Sequence, residues 1–157
     1  MRIQEINENY RPEVNRILWE EWNCPPIVSR GKLIDTTQLP GFLSVYGEEI
    51  TGVITYQIEN NECEIVTLNS FEERKGIGTA LINEVLNIAK SNHCKRLWLI
   101  TTNDDINAIR FYQKRGFDLK MVHINAIEIS RRLKPSIPLI GMDDIPIKHE
   151  LEFEILL

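Results

Sequence analysis

Several things are scarce in this chain of 157 residues, and each scarcity excludes something. There are three cysteines, Cys24, Cys63 and Cys94, odd in number and far apart, which fits neither a disulfide framework nor a zinc site. The three histidines, His93, His123 and His149, are as scattered, so no metal is expected. No apolar run approaches the roughly eighteen residues of a membrane span. The first ten residues, MRIQEINENY, carry charges where a signal peptide has its apolar core. Positive charge is thin: the formal net charge is −5. The densest basic segment is the short Arg131, Arg132, Lys134. A nucleic-acid partner would ask for a concentrated basic footprint, so none is expected. These absences together predict a soluble cytoplasmic protein with neither a membrane nor a nucleic acid as partner.

What is present is ordinary for a globular domain, 43% hydrophobic and 26% charged, and the length suits a single domain over residues 1–157. Residues 2–8 read as a short strand. Arg11-Pro12-Glu13 opens a helix, with Val14, Ile17, Leu18 and Trp22 on one face. The stretch IVSRGKLIDTTQLPGF reads as irregular cover. FLSVY, ITGVITYQI and CEIVTL follow as three strands joined by turns at Gly47-Glu48-Glu49 and Asn60-Asn61, an antiparallel meander. Ile77, Leu81, Val85 and Ile88 then form a helical stripe, and LWLITT (97–102) a buried strand. NAIRFYQK is a helix stopped at Gly116, MVHINAIEI a strand turning helical, and HELEFEILL a last alternating strand. A long, Pro-rich connection, residues 131–147, precedes that strand. It either shapes a groove or makes a contact in a homodimer. The order predicts a mixed α/β (α+β) fold.

The most informative stretch is ERKGIGTALINEVLNIAK (73–90), where a polar turn after a strand becomes a helix. A helix N-terminus aims unpaired N–H groups and a positive dipole end at whatever lies beyond the strand, a setting that favours a phosphate. Gly76 and Gly78 let the backbone approach such a ligand, with Arg74 and Lys75 beside them; the same glycines would also serve a plain tight turn. The P-loop pattern is absent. The dinucleotide fingerprint fails where Leu81 replaces its third small residue.

The segment LNSFEERKGIGTALI, a following strand, and then NAIRFYQKRGF resemble the GNAT superfamily of acyl-CoA-dependent N-acetyltransferases over roughly residues 1–125. Gly76 and Gly78 match the family's Gln/Arg-x-x-Gly-x-Gly/Ala turn. Ala108, Ile109, Tyr112, Gly116 and Phe117 match its downstream helix motif. The resemblance implies a GNAT-like fold, a mixed central sheet of six to seven strands flanked by helices. It also implies acetyl-CoA as co-substrate and, as acceptor, a primary amine of a small molecule or peptide. The cofactor contacts it implies are backbone groups of Val66, Thr67 and Leu68 for the pantetheine arm. The turn Glu73, Arg74, Lys75, Gly76, Ile77, Gly78 and Thr79 is implied for the pyrophosphate, with Asn103, Asn107 and Tyr112 further on. Tyr112 is the implied acid for the departing thiolate. For the base there are two carboxylates, Glu64 and its neighbour Glu62. Alternation puts Glu64, Val66 and Leu68 on one face. The chain departs from the pattern at Glu73, in the Gln/Arg position, and at Arg74, where a glycine is usual. Asp105 stands where Asn is common and is equally a plain N-cap. Residues 19–40 and 131–147 are the expected groove walls. Glu20, Glu21, Asp35, Asp143 and Asp144 are candidates for drawing a cationic amine. Trp19, Trp22 and Phe42 are candidates for lining the groove or for packing. A cofactor-sensing module without turnover is the rival reading.

Overall fold

Three strand-patterned runs and two tight turns make the centre of the sheet. A computed structural model describes residues 1–23, 26–72 and 75–157. Its elements in chain order are β1 (Arg2–Glu5), α1 (Arg11–Glu21), β2 (Ile27–Ser29), β3 (Lys32–Ile34), β4 (Gly41–Tyr46), β5 (Glu49–Glu59) and β6 (Glu62–Ser70). Then come α2 (Ile77–Ser91), β7 (Arg96–Thr102), α3 (Ile106–Lys114), β8 (Asp118–His123), α4 (Ala126–Leu133) and β9 (Glu150–Leu156). Seven strands form one sheet in the order β1-β4-β5-β6-β7-β9-β8. Strands β6 and β7 run parallel, with α2 as the crossover, and the other neighbours are antiparallel. No helix among the described residues is long and apolar enough to cross a membrane.

The expected meander is β4-β5-β6. Its second turn sets Asn60 and Asn61 at φ 55° and 61°, the two positive values a tight two-residue hairpin needs. The first strand is shorter than expected. It stops at Glu5 because Asn7 turns the chain, accepting the Tyr10 N–H on both its carbonyl and its side chain. The stretch read as irregular contains a small hairpin, β2–β3. Arg30 and Gly31 take φ 50° and 74° between strands of only three residues.

One face of the sheet is covered by α2 and α3. Leu81, Val85 and Ala89 meet Ile54, Leu97 and Phe153 there, all fully buried or nearly so. The opposite face holds α1 against Leu43, Val45 and Val53, and next to it the β2–β3 hairpin. Gly52 lets α2 come close to β5, since a Cβ there would lie 2.6 Å from Ile77 Cγ2. That contact seats the first turn of α2 at the end of the sheet.

Two irregularities coincide on β6. Its pairing with β7 runs from Glu62↔Arg96 to Ile65↔Leu99 and then ends. On the other side, Thr55 pairs with Thr67 but Tyr56 with Ile65, so Val66 is an extra, bulged residue. The strand bends at the point where it leaves its parallel neighbour, and a cleft opens between β6 and β7.

If α2 is held by this packing, Leu81→Ala should cost about 2–5 kcal/mol in urea unfolding. A loss within experimental error would show that the helix is not fixed by the buried stripe.

Candidate active site

On the α2–α3 side of the cleft lies a groove of about 570 Å³. Its floor is Leu68 and the first turn of α2, from Gly76 to Thr79, and its far wall is α3. Gly76 is left-handed at φ 73°, and a Cβ there would have nothing within 4 Å, so the turn presents open backbone. Gly78 lines the groove too, and its lack of a side chain has a packing reason. A Cβ on it would lie 2.9 Å from Cζ of Phe111, so the glycine makes room for that ring. Ile77 is buried against the sheet. Thr79 accepts a hydrogen bond from Arg115 Nε at 2.8 Å, and the Arg115 guanidinium stacks 3.6 Å from the Phe111 ring centre. Lys75 pairs with Glu72 at 3.0 Å in an exposed setting. Glu73 and Arg74 lie outside the described residues.

Helix α3 adds a cationic wall that the sequence reading did not name. Arg110, Lys114 and Arg115 all line the groove. Arg110 and Lys114 stand four residues apart in RFYQKR, which puts them on one flank of the helix and was the available signal, and Arg115 follows at its C-cap. Asn107 lines the groove as well, its Oδ1 accepting from Arg110 Nη1 at 3.3 Å. Asp105 is a true N-cap, accepting the Ala108 N–H at 3.0 Å, and it also reaches the groove. Asn103 has another task. Its Oδ1 accepts the N–H groups of Lys148 and His149 at 2.8 and 2.9 Å, and its Nδ2 donates to Pro146 O. These bonds anchor the chain leading into β9.

Tyr112 lines the same groove, with its ring edge-on between Phe111 and Phe117. Burial, reinforced by Asp105 and opposed by Arg115, pushes its phenol above the ordinary value. The phenol therefore stays protonated at neutral pH, as a donor.

On the other side of the cleft a second groove, about 330 Å³, is walled by the segments expected to wall it. Trp22 and Ile27 to Ser29 form one side, Ile127, Ile137, Pro138 and Ile147 the other, and Val66, Ile100 and Thr101 the floor. Trp22 is fixed by its Nε1–H donating to Asn69 Oδ1 at 2.7 Å. Trp19 is 55% exposed away from this groove, and Phe42 packs in the core beneath α2. Of the acidic candidates Glu21 lines the groove; Glu20 pairs with Arg16, and Asp35 caps a turn at Thr37.

Glu64 is 5% exposed and faces this groove. Ser29 Oγ donates to it at 2.7 Å and Gln57 Nε2 at 3.0 Å. Burial raises its pKa against those two bonds and Arg30, and Glu150 adds to the rise. Glu62, the rival base, instead accepts from Arg96 Nε at 3.1 Å and lines a neighbouring cavity under the hairpin, which Ser29 and Glu64 line as well, but not this groove. Alternation does not survive the bulge: Val66 shares the face of Glu64 and packs on Ile27 and Ile34, but Leu68 lies on the α2 face. Thr67 is buried, its Oγ1 bonded to Thr55 Oγ1 at 2.6 Å. Asp105 lines both grooves, which thus flank the start of α3 from its two sides.

Comparison with known proteins fits this geometry. The "Uncharacterized protein YdhI" of Bacillus subtilis (strain 168) is 46% identical over 135 residues, 85% of this chain and 84% of its own. Among solved structures, a Bacillus subtilis acetyltransferase in complex with CoA has a TM-score of 0.71 at 18% identity, over 99% of this chain and 98% of its own. A GNAT family acetyltransferase from Elizabethkingia anophelis with acetyl-CoA bound gives 0.71 at 18%, over 99% and 97%. At that identity the two structures bear on the fold alone. The family model described as "Acetyltransferase (GNAT) family" matches residues 4–117, and the chain belongs to that family.

Proposed function

We propose that this acetyltransferase moves the acetyl group of acetyl-CoA onto a primary amine of a small molecule or peptide, by direct attack of the amine on the thioester. We place the reaction in the cytoplasm. The observation that carries the reading is the pair of grooves on the two sides of the β6–β7 cleft, sharing Asp105, with Tyr112 lining one and Glu64 the other.

The cofactor side suits CoA. The first turn of α2 offers N–H donors and a positive dipole end, Gly76 leaves the approach open, and the α3 cations add charge for phosphates. Backbone groups of residues 66–68, released from pairing with β7, suit the amides of the pantetheine arm. The amine enters from the other groove. Glu64 takes its proton as the nitrogen bonds to the thioester carbon. Its raised pKa brings it closer to the range where a base works well at neutral pH. As the carbon–sulfur bond breaks, the thiolate receives a hydrogen bond and then a proton at the Tyr112 hydroxyl. A thiol pKa near roughly 8.5 means that only modest assistance is required.

Tyr112→Phe keeps the ring between its two neighbours and removes the donor. Turnover should fall on the order of 100-fold with little change in acetyl-CoA affinity. Full turnover in the variant would remove Tyr112 from the mechanism. Glu64 acts only when ionised, so kcat/KM should decline as pH drops through a pKa above the ordinary carboxylate value of about 4.3. Glu64→Gln should lose that acid limb along with most of the rate. An unchanged limb in the variant would assign the base elsewhere.

A further inference from the structure

Five glutamates stand on the sheet face that looks toward the β2–β3 hairpin: Glu62 and Glu64 on β6, and Glu150, Glu152 and Glu154 on β9. Carboxylates gathered in a partly dry interior need cations beside them. Arg96 serves three: its Nε meets Glu62 at 3.1 Å, and its Nη1 meets Glu152 at 2.6 Å and Glu154 at 3.0 Å. Glu152 has His123 at 3.0 Å besides. Glu64 and Glu150 are left over. They are 5% and 2% exposed, and among the described residues neither takes part in an ion pair. Glu64 has two neutral donors, Ser29 and Gln57. Glu150 has one long hydrogen bond, from the Arg30 backbone N–H at 3.3 Å; the Arg30 side chain and His123 act on it only from farther off.

Of these five, the two that line the acceptor groove are Glu64 and Glu150, and not the three that Arg96 pairs with. Much of the rest of that groove is apolar, including Val66, Ile100, Ile127 and Ile137. Lys134 also lines it, with its ammonium donating to Trp22 O at 2.9 Å. Ser29 and Arg30, whose α-carbons are about 3.8 Å apart as chain neighbours, each hold one of the two carboxylates. Both acids are thus within reach of one short ligand.

We propose that the acceptor is a primary diamine, with its reacting nitrogen at Glu64, its second, charged nitrogen paired with Glu150, and its methylene stem along Val66, Ile100 and Ile127. This rests on the amine-acetylation reading above. The chemistry is unchanged: the reacting nitrogen gains the acetyl group and loses a proton to Glu64, while the second nitrogen keeps its proton throughout. An acceptor carrying a carboxylate in that place would set like charge against Glu150.

The test is thiol release from acetyl-CoA with 1,4-diaminobutane, 1-aminobutane and 4-aminobutanoate, which share a stem and differ at its far end. The wild-type enzyme should prefer the diamine over the monoamine on the order of 30-fold or more in kcat/KM, with the amino acid poorest. Glu150→Gln should raise KM for the diamine by a similar factor, far more than it alters KM for the monoamine and with a smaller effect on kcat, and should leave the affinity for acetyl-CoA unchanged. Glu150→Asp should restore part of the loss. Equal use of diamine and monoamine by the wild type, a comparison that needs no variant, would overturn the proposal. So would a folded Glu150→Gln enzyme with an unaltered diamine KM. No thiol release with any of these amines or with peptide amines would overturn the acetyl-transfer reading as well, whereas turnover without diamine preference would overturn this inference alone.

Discussion

The parallel pairing of β6 with β7 ends at Ile65 and Leu99, and a bulge at Val66 turns β6 away at that point. The proposed site depends on this separation. A continuous sheet would satisfy the backbone groups of residues 66–68 and close the passage between its two faces. The open cleft leaves those groups available between two grooves that lie on opposite sides of the sheet. The bulge also re-aims side chains, so that Val66 stays with Glu64 on the acceptor face and Leu68 turns to the floor of the other groove.

The two faces carry opposite electrostatics, and each suits its side of the reaction. On the α2–α3 face, a helix N-terminus and the cations Arg110, Lys114 and Arg115 surround a buried phenol. On the hairpin face, carboxylates dominate. Arg96 has a double role there, since its guanidinium also lies 4.9 Å from the Trp98 ring centre while it serves three acids. Arg96 engages those three, and the other two glutamates of this sheet face, Glu64 and Glu150, turn to the groove without a cation in contact among the described residues. Their low exposure makes each one consequential, because water can do little to screen it.

Much of this was legible in the residues. Three strand-like runs with two turn signals specified the meander, and the broad apolar stripe from Ile77 to Ile88 specified α2. The two motifs, in order around a strand, located the glycine turn and Tyr112. What escaped depended on partners distant in sequence. The β2–β3 strands have three residues each, too few for a period to show. The bulge at Val66 exists only relative to β5, so alternation alone put Leu68 on the wrong face. Asn103 was recruited by a segment more than forty residues away, for which no local signal exists. The α3 cations had a visible spacing, but nothing local said which way that flank faced. Glu64 was separated from Glu62 only by tertiary packing: one is held by Ser29 and Gln57, the other by Arg96.

The most direct measurement of the central claim is calorimetric titration of the protein with acetyl-CoA, and with CoA and ATP for comparison. The cleft and its glycine turn predict saturable binding of acetyl-CoA and CoA at one site and no comparable binding of ATP, which lacks the arm that the freed β6 backbone would hold. Failure of acetyl-CoA to bind, or equal binding of ATP, would contradict the account.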